Sequence, residues 1–194
     1  MSAIQKIGLF GGSFDPVHLG HLLVAQAACE EAGLQRLFFI PAAQSPFKPD
    51  TMPIPHAERL RLLRLALAGK SHYEIDEQEI KRGGVSYSID TVRDYARRFP
   101  QAELYYLIGA DHVPTLPKWR EAAELARLAT FLAIPRPGQP EAVFAAPFRG
   151  RTLKGFPLGV SASEIRARAK AGLPIEHLVA PAVAEAIRNY RLYL

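Results

Sequence analysis

Two histidines, His18 and His21, lie three residues apart at the end of Lys6 to His21, Lys-Ile-Gly-Leu-Phe-Gly-Gly-Ser-Phe-Asp-Pro-Val-His-Leu-Gly-His. Ile7 to Phe10 is a short apolar run bounded by glycines, the pattern of a buried strand. Gly11 and Gly12 then permit a sharp turn and, lacking Cβ, let backbone N–H groups come close to a ligand. Pro16 disfavours helix at Asp15, so a helix is expected from near Val17 through Ala28, with His18 and His21 on one face of its first turn. A helix N-terminus carries about half a positive charge and several unpaired N–H donors. Two imidazoles added there make an anion pocket, with phosphate as the expected anion. A lone histidine on such a face is commonly a core residue; the pair, directly after a strand and a glycine turn, is what points to a nucleotide phosphate. No third His, Cys or carboxylate falls nearby at ligand spacing, so no metal held by protein ligands is expected.

A second stretch with chemical potential is Val160-Ser161-Ala162-Ser163-Glu164-Ile165-Arg166. Ser161 or Ser163 can cap a helix and offer a hydroxyl at its positive end, and Arg166 lies one turn in on the side of Ser163. By itself the stretch reads first as an ordinary capped helix with a surface arginine. Lys48 stands just beyond the strand Arg36 to Pro41, and Asp111 follows the strand Glu103 to Gly109. In open α/β sheets ligands bind at that edge, although Lys48 can also be plain solvated charge and Asp111 a helix cap. Trp119 is the single tryptophan.

The elements that must position these residues alternate along the chain. Beyond the first strand and helix, strands are expected at Arg36 to Pro41, Tyr73 to Asp76 (with Ile80 and Lys81 extending it past a break), Glu103 to Gly109, Thr130 to Pro135 and Leu158 to Val160. Helices are expected at His56 to Lys70 on a leucine stripe, from an N-cap at Ser88 through Arg98, after Lys118-Trp119-Arg120, from Ser161 or Ser163 to Ala171, and from Pro181 to Asn189. Pro114 and Pro117 imply an irregular loop, and 136 to 157 an exposed excursion. The arginines of Arg59-Leu60-Arg61-Leu62-Leu63-Arg64 read as a solvated helix face. Alternation at this spacing implies a Rossmann-like three-layer α/β/α sandwich with a mainly parallel, doubly wound sheet. With 194 residues, residues 1–194 are expected to form a single domain.

The net charge is +5, with a pI near 9.5 and a mean hydropathy of −0.01. Such charge suits polyanions, but the basic residues do not interleave with aromatics as in single-strand binders, so no nucleic-acid partner is expected. No run approaches a membrane span, no signal-peptide pattern is present, and the one cysteine, Cys29, reads as buried filler; a cytoplasmic location fits. The oligomeric state, a homo-oligomer included, is left open.

Gly-Gly-Ser-Phe-Asp-Pro-Val-His-Leu-Gly-His resembles the Gly-x-Phe-x-Pro-x-His-x-Gly-His signature of the nucleotidyltransferase superfamily, and most closely its bacterial nicotinate-mononucleotide adenylyltransferases, where Thr is commoner than Ser13. Val160-Ser161-x-Ser163-x-x-Arg166 is similar to the family's Ile-Ser-x-Thr-x-x-Arg, Ser86-Tyr87-Ser88 to Ser-Tyr-Thr, Leu116-Pro117-Lys118-Trp119 to Leu-Pro-x-Trp, Gly109-Ala110-Asp111 to Gly-x-Asp, and Leu192-Tyr193-Leu194 to a Gly-Leu-Tyr ending. Ser45 and Phe47 depart from the family's Pro-Pro-His-Lys or Pro-Pro-His-Arg, while Lys48 is retained.

The resemblance implies adenylyl transfer from ATP to nicotinate mononucleotide, releasing pyrophosphate and giving nicotinate adenine dinucleotide for NAD biosynthesis. It implies that Gly11, Gly12, Ser13, Phe14, His18, His21, Asp111, Ser161, Ser163 and Arg166 contact ATP, with His18, His21 and Arg166 catalytic. Ser88, Trp119 and Lys48 would contact the acceptor, Trp119 by stacking on the pyridine and Ser88 at its carboxylate. Mg²⁺ would be carried mainly on the ATP phosphates. Alternatives are the same chemistry on nicotinamide mononucleotide or phosphopantetheine, or a non-catalytic module that binds nucleotides or nucleic acid.

Overall fold

The computed structural model describes residues 5–47, 53–135, 138, 140–156 and 158–194. Among them, β1 Lys6–Gly12, β2 Arg36–Pro41, β3 Tyr73–Ile75, β4 Glu103–Gly109, β5 Thr130–Ile134 and β6 Gly150–Thr152 form one sheet in the order β3-β2-β1-β4-β5-β6. Every neighbouring pair is parallel, with Gly12 of β1 level with Pro41 of β2 and Phe10 level with Leu107 of β4. The direction of winding reverses between β1 and β4, which opens a crevice outside their carboxyl ends. This is the Rossmann-like, doubly wound sheet expected from the sequence.

Both faces of the sheet are covered, so its strands are apolar runs whose side chains alternate between two cores. Ile7, Leu9, Leu104, Tyr106 and Ile108 meet Ile89, Val92 and Tyr95 of α4 (Ser88–Arg98) and Leu125 of α5 (Ala122–Leu128) on one side. Phe10, Leu37, Phe39 and Leu107 face the other side. There they pack with the alanine face of α1 (Leu19–Ala32), Leu62 and Leu63 of α2 (His56–Leu67), Ile165 of α6 (Ala162–Lys170) and Val183 and Ile187 of α7 (Pro181–Asn189). The short α3 is Gln78–Arg82.

Several local expectations are corrected. The first helix begins at Leu19, with His18 extended (φ −141°, ψ 172°) as its N-cap, so His18 flanks the first turn instead of lying in it. Ile80 and Lys81 belong to α3 and do not extend β3. The N-cap of α4 is Tyr87, and Ser88 is its first helical residue. Pro114 and Pro117 lie inside a 3-10 helix, Ala110–Lys118, where i→i+3 bonding tolerates fixed φ angles. Glu121, in a left-handed conformation (φ 51°), delays α5 until Ala122, beyond Lys118-Trp119-Arg120. The excursion 136 to 157 contains β6, which Glu31 of α1 secures by accepting the backbone N–H groups of Lys154 (3.1 Å) and Gly155 (2.9 Å). Leu158 to Val160 is not a strand, because β6 already holds the sheet edge.

Candidate active site

The turn after β1 brings the two histidines together. Ala42 N–H donates to Gly12 C=O at 2.9 Å, so the end of β1 and the exit from β2 move as one unit. The chain then passes through Phe14, held at φ 46°, and reaches the cap of α1. His18 and His21 form a capping box made of imidazoles, in which the backbone N–H of His18 donates to His21 Nδ1 at 3.1 Å. That bond makes Nδ1 the acceptor, so the neutral His21 ring carries its proton on Nε2. The two rings lie 3.8 Å apart, and Phe14 meets His21 edge-on at 5.0 Å. Gly20 makes room for this pair: a Cβ there would sit 3.0 Å from both Cε1 and Nδ1 of His18. Burial lowers His18 to a pKa of about 4, so it is neutral at pH 7. The positive potential at this end of α1 therefore comes from the helix terminus and nearby arginines, not from His18.

Those arginines hold the turn from below. Arg59 of α2 is fully buried; its Nη1 donates to Ser13 C=O and its Nη2 to Ala42 C=O, both at 2.7 Å. Burial pushes its guanidinium below the usual arginine value, and Asp15 and Tyr193 oppose that shift. Arg166 donates from Nη1 to Asp15 C=O (2.8 Å) and from Nη2 to Ser163 Oγ (3.2 Å). The buried Asp15 carboxylate accepts Tyr193 Oη–H at 2.8 Å, tying the chain's final residues to the turn. The solvated-face reading is wrong for Arg59. The signal was its position three and four residues before the buried Leu62 and Leu63, on the apolar stripe of α2, whereas Arg64 is exposed.

Two clefts open above this scaffold. The larger, about 970 Å³, is lined by residues that include Gly12, Ser13, Phe14, His21, Ser163 and Arg166. The smaller, about 190 Å³, is lined on its other side by Gly11, Phe47, Ser88, Tyr106 and Trp119 among others. Gly12, Ser13, Ala42 and Ser45 line both, so the clefts meet at the glycine turn. His18 lies behind His21 and lines neither. Ser161 is exposed; its hydroxyl accepts Glu164 N–H at 3.2 Å and caps α6. Asp111 is exposed at the start of the 3-10 helix, lines neither cleft, and sits 3.8 Å from His112 Nε2. Lys48 lies outside the described residues.

The smaller cleft is rigid at its floor. Ser88 Oγ and Tyr106 Oη share a hydrogen bond at 2.8 Å, and Trp119 Nε1 donates to Thr115 Oγ1 at 3.0 Å. Ser86 Oγ accepts Ala43 N–H at 3.0 Å. The buried Glu79, unnoticed in the sequence because it sits in what read as a broken strand, accepts Thr91 Oγ1–H at 2.5 Å and also lines this cleft. Burial raises its carboxyl above the usual value, against the lowering effect of the Thr91 and Ser86 hydroxyls and Arg82.

Residues 9–168 match the cytidylyltransferase-like family. A protein of Opitutus terrae that carries the name "Probable nicotinate-nucleotide adenylyltransferase" is 40% identical over 191 residues, 97% of this chain and 98% of that one. The chain belongs to the nicotinate-nucleotide adenylyltransferase family. A so-named relative from Thermus thermophilus is 41% identical over 190 residues, 97% of this chain and all of that one. The fold is shared with nicotinic acid mononucleotide adenylyltransferase of Plasmodium falciparum, solved with NaAD, at a TM-score of 0.77, 16% identity and 97% coverage of each chain.

In this member of the adenylyltransferase family, much of the basic charge is matched locally: Arg93 pairs with Glu121 and Glu124, Arg98 with Asp76 and Asp94, and Arg36 with Glu74. Burial pushes the Cys29 thiol up to about 11, which keeps it protonated at neutral pH. Among the described residues, no helix is long and apolar enough to cross a membrane.

Proposed function

We propose that the chain, acting as one domain, transfers the adenylyl group of ATP to the phosphate of nicotinate mononucleotide, giving nicotinate adenine dinucleotide and pyrophosphate in NAD biosynthesis. The observation that carries this reading is the pair of clefts meeting at Gly12 and Ser13, one rimmed by His21, Ser163 and Arg166, the other by Ser88 and Trp119. ATP takes the larger cleft, whose volume lies in the range of roughly 300–1,000 Å³ usual for ligand sites. An oxygen of the acceptor's 5′-phosphate forms a bond to the α-phosphorus, the bond from that phosphorus to the β-phosphate oxygen breaks, and pyrophosphate leaves with the electron pair. Phosphate is itself the nucleophile, so catalysis consists of positioning and charge stabilisation.

The N–H groups of the Gly11 to Phe14 turn and the Nε2–H of His21 face the α-phosphate. His18 positions His21 through its backbone N–H and its ring, which lies tilted against that of His21. Arg166, whose permanent charge suits phosphate, and Ser163 take the outer phosphates with the capped end of α6 at Ser161. Asp111 approaches the nucleotide ribose. In the smaller cleft Trp119 stacks on the pyridine and Ser88 meets its carboxylate. The donors around the larger cleft are His, Arg and backbone N–H, and the described residues hold no group of three His, Cys, Asp or Glu placed for a metal. With such donors Mg²⁺ would be held mainly through the ATP phosphates, where it would shield negative charge on pyrophosphate. Soluble substrates and locally matched arginines fit a cytoplasmic enzyme with no nucleic-acid partner.

The test is pyrophosphate release from ATP and Mg²⁺ with nicotinate mononucleotide and with nicotinamide mononucleotide. Turnover favouring the nicotinate form, and reduced about a hundred- to thousandfold by His21→Ala, is the expected result. One observation favours a second reading: Glu79, a buried acid lining the acceptor cleft, is better suited to an amide than to a second carboxylate. Preference for the nicotinamide form would establish that alternative, and turnover with neither acceptor would overturn both.

A further inference from the structure

Phe47 stands where the family pattern has a histidine, and neither the phosphate chemistry nor the acceptor contacts above use it. It is a large apolar side chain with 48% of its surface exposed, yet it is not loose on the surface. Its ring stacks on His112 at 4.7 Å with planes 27° apart, and inclines to Trp119 at 5.4 Å and 45°. Phe47 comes from the segment after β2, whereas His112 and Trp119 come from the segment after β4. The ring thus bridges the two banks of the crevice where the winding reverses.

The base of Phe47 is anchored on the acceptor side. Gln44 pairs with Val85, Ser86 N–H donates to Gln44 C=O at 2.9 Å, and Phe47 N–H donates to Ser45 Oγ at 3.3 Å. Trp119 is held from behind: its indole N–H is bonded to Thr115 Oγ1, which donates to the carbonyl of His112 at 2.7 Å, and Tyr106 meets its ring edge-on at 6.3 Å. Phe47, His112, Tyr106 and Trp119 all line the smaller cleft. The phenyl and the indole touch, so a flat heteroaromatic ring entering the cleft meets one continuous aromatic wall made of the fixed indole and the half-exposed phenyl.

We propose that Phe47 is a specificity-determining residue, extending the face of Trp119 into an aromatic wall against which the ring of a pyridine mononucleotide packs. This rests on the acceptor reading given above and deepens it. A histidine at this position would give the wall a polar, titratable edge; phenylalanine offers only an apolar ring, so it strengthens ring packing without contacting the acceptor's phosphate. The residue therefore acts on the affinity for the acceptor and not on the transfer step.

The experiment uses the full chain and reads both KM and ligand-induced quenching of Trp119, whose emission is unambiguous because it is the single tryptophan. Phe47→Ala is expected to raise KM and the quenching Kd for nicotinate mononucleotide by about three- to tenfold, the worth of one aromatic pair, with kcat and the KM for ATP within about twofold. Phe47→Tyr, which keeps the ring, is expected to restore both constants. Unchanged or tighter acceptor binding in Phe47→Ala, with quenching intact in the wild type, would overturn the role of Phe47 and leave the acceptor reading standing. Failure of nicotinate mononucleotide to quench wild-type Trp119 would overturn the acceptor reading and the role of Phe47 with it.

Discussion

Replacing Arg59 by Met is the sharpest test of how the turn is held. The two chains are close in volume and flexibility, so the substitution removes charge and donors with little change in packing. Two carbonyls, Ser13 C=O and Ala42 C=O, each lose a 2.7 Å bond from a cation. A buried acceptor left without a donor costs about 1–3 kcal/mol, so the pair costs about 2–6 kcal/mol. Removing a fully buried guanidinium also recovers part of its desolvation, which offsets some of that loss. The recovery is limited, because Asp15 then loses one of the positive charges that compensate its own burial. A net loss of about 2–4 kcal/mol is expected, which in a chain of this length lowers Tm by about 4–16 °C.

The functional effect of the same change is larger than the thermal one. Ser13 and Ala42 line both clefts, so releasing their carbonyls loosens the seam at which donor and acceptor must meet. Displacements of about 1 Å cost on the order of a hundredfold in rate. Urea unfolding with steady-state kinetics on the folded protein separates the two effects. A variant that unfolds within about 0.5 kcal/mol of the parent, with unaltered kcat, would refute the argument, since surface arginines behave that way.

Two further outcomes are expected. Gly20→Ala puts a methyl 3.0 Å from the His18 ring, so kcat should fall about tenfold or more by displacing the imidazole pair, while Tm holds or rises because alanine favours helix by about 1 kcal/mol over glycine; unchanged kcat would show that the ring yields freely. For His18, the folded pKa of about 4 lies below the unfolded value of 6.5, so its contribution to stability is whole above pH 6.5 and is lost progressively as pH falls to 4. That loss is worth about 3 kcal/mol, and comparing urea unfolding at pH 7 and pH 4.5 for the parent and His18→Asn isolates it; equal pH dependence in the two would contradict the burial.

The sequence made legible whatever depends on local pattern. β4, β5 and α7 fall where apolar runs, glycines and Pro181 put them, and the glycine turn with His21, Ser163 and Arg166 appears on one cleft as spacing and resemblance implied. What escaped depends on contacts distant in the chain. Arg59 reaches back 46 residues to Ser13, and nothing in its own helix but its place on the apolar stripe separates it from Arg61. β6 is three residues of poor apolar pattern that become a strand only because the edge of β5 is available to pair with them. Ser88 looked like a cap because serine usually serves that way, but Tyr106 one layer below is a better partner for its hydroxyl than the helix end.

These misses share a cause that bears on mechanism. Many of the residues that line the two clefts lie near strand ends and helix starts, where local signals are strong. The residues that fix the angle between the two clefts lie in other elements altogether. Arg59 from α2, Tyr193 from the chain end and Arg166 from α6 all converge on Ser13 to Asp15. None of these bonds is within one element, so each needs the sheet and the one helical layer of α1, α2, α6 and α7 to be in place. The order of this turn therefore depends on long-range contacts that its own residues do not supply. The cleft-lining groups can therefore be read from short stretches of sequence, whereas their alignment depends on contacts far apart in the chain.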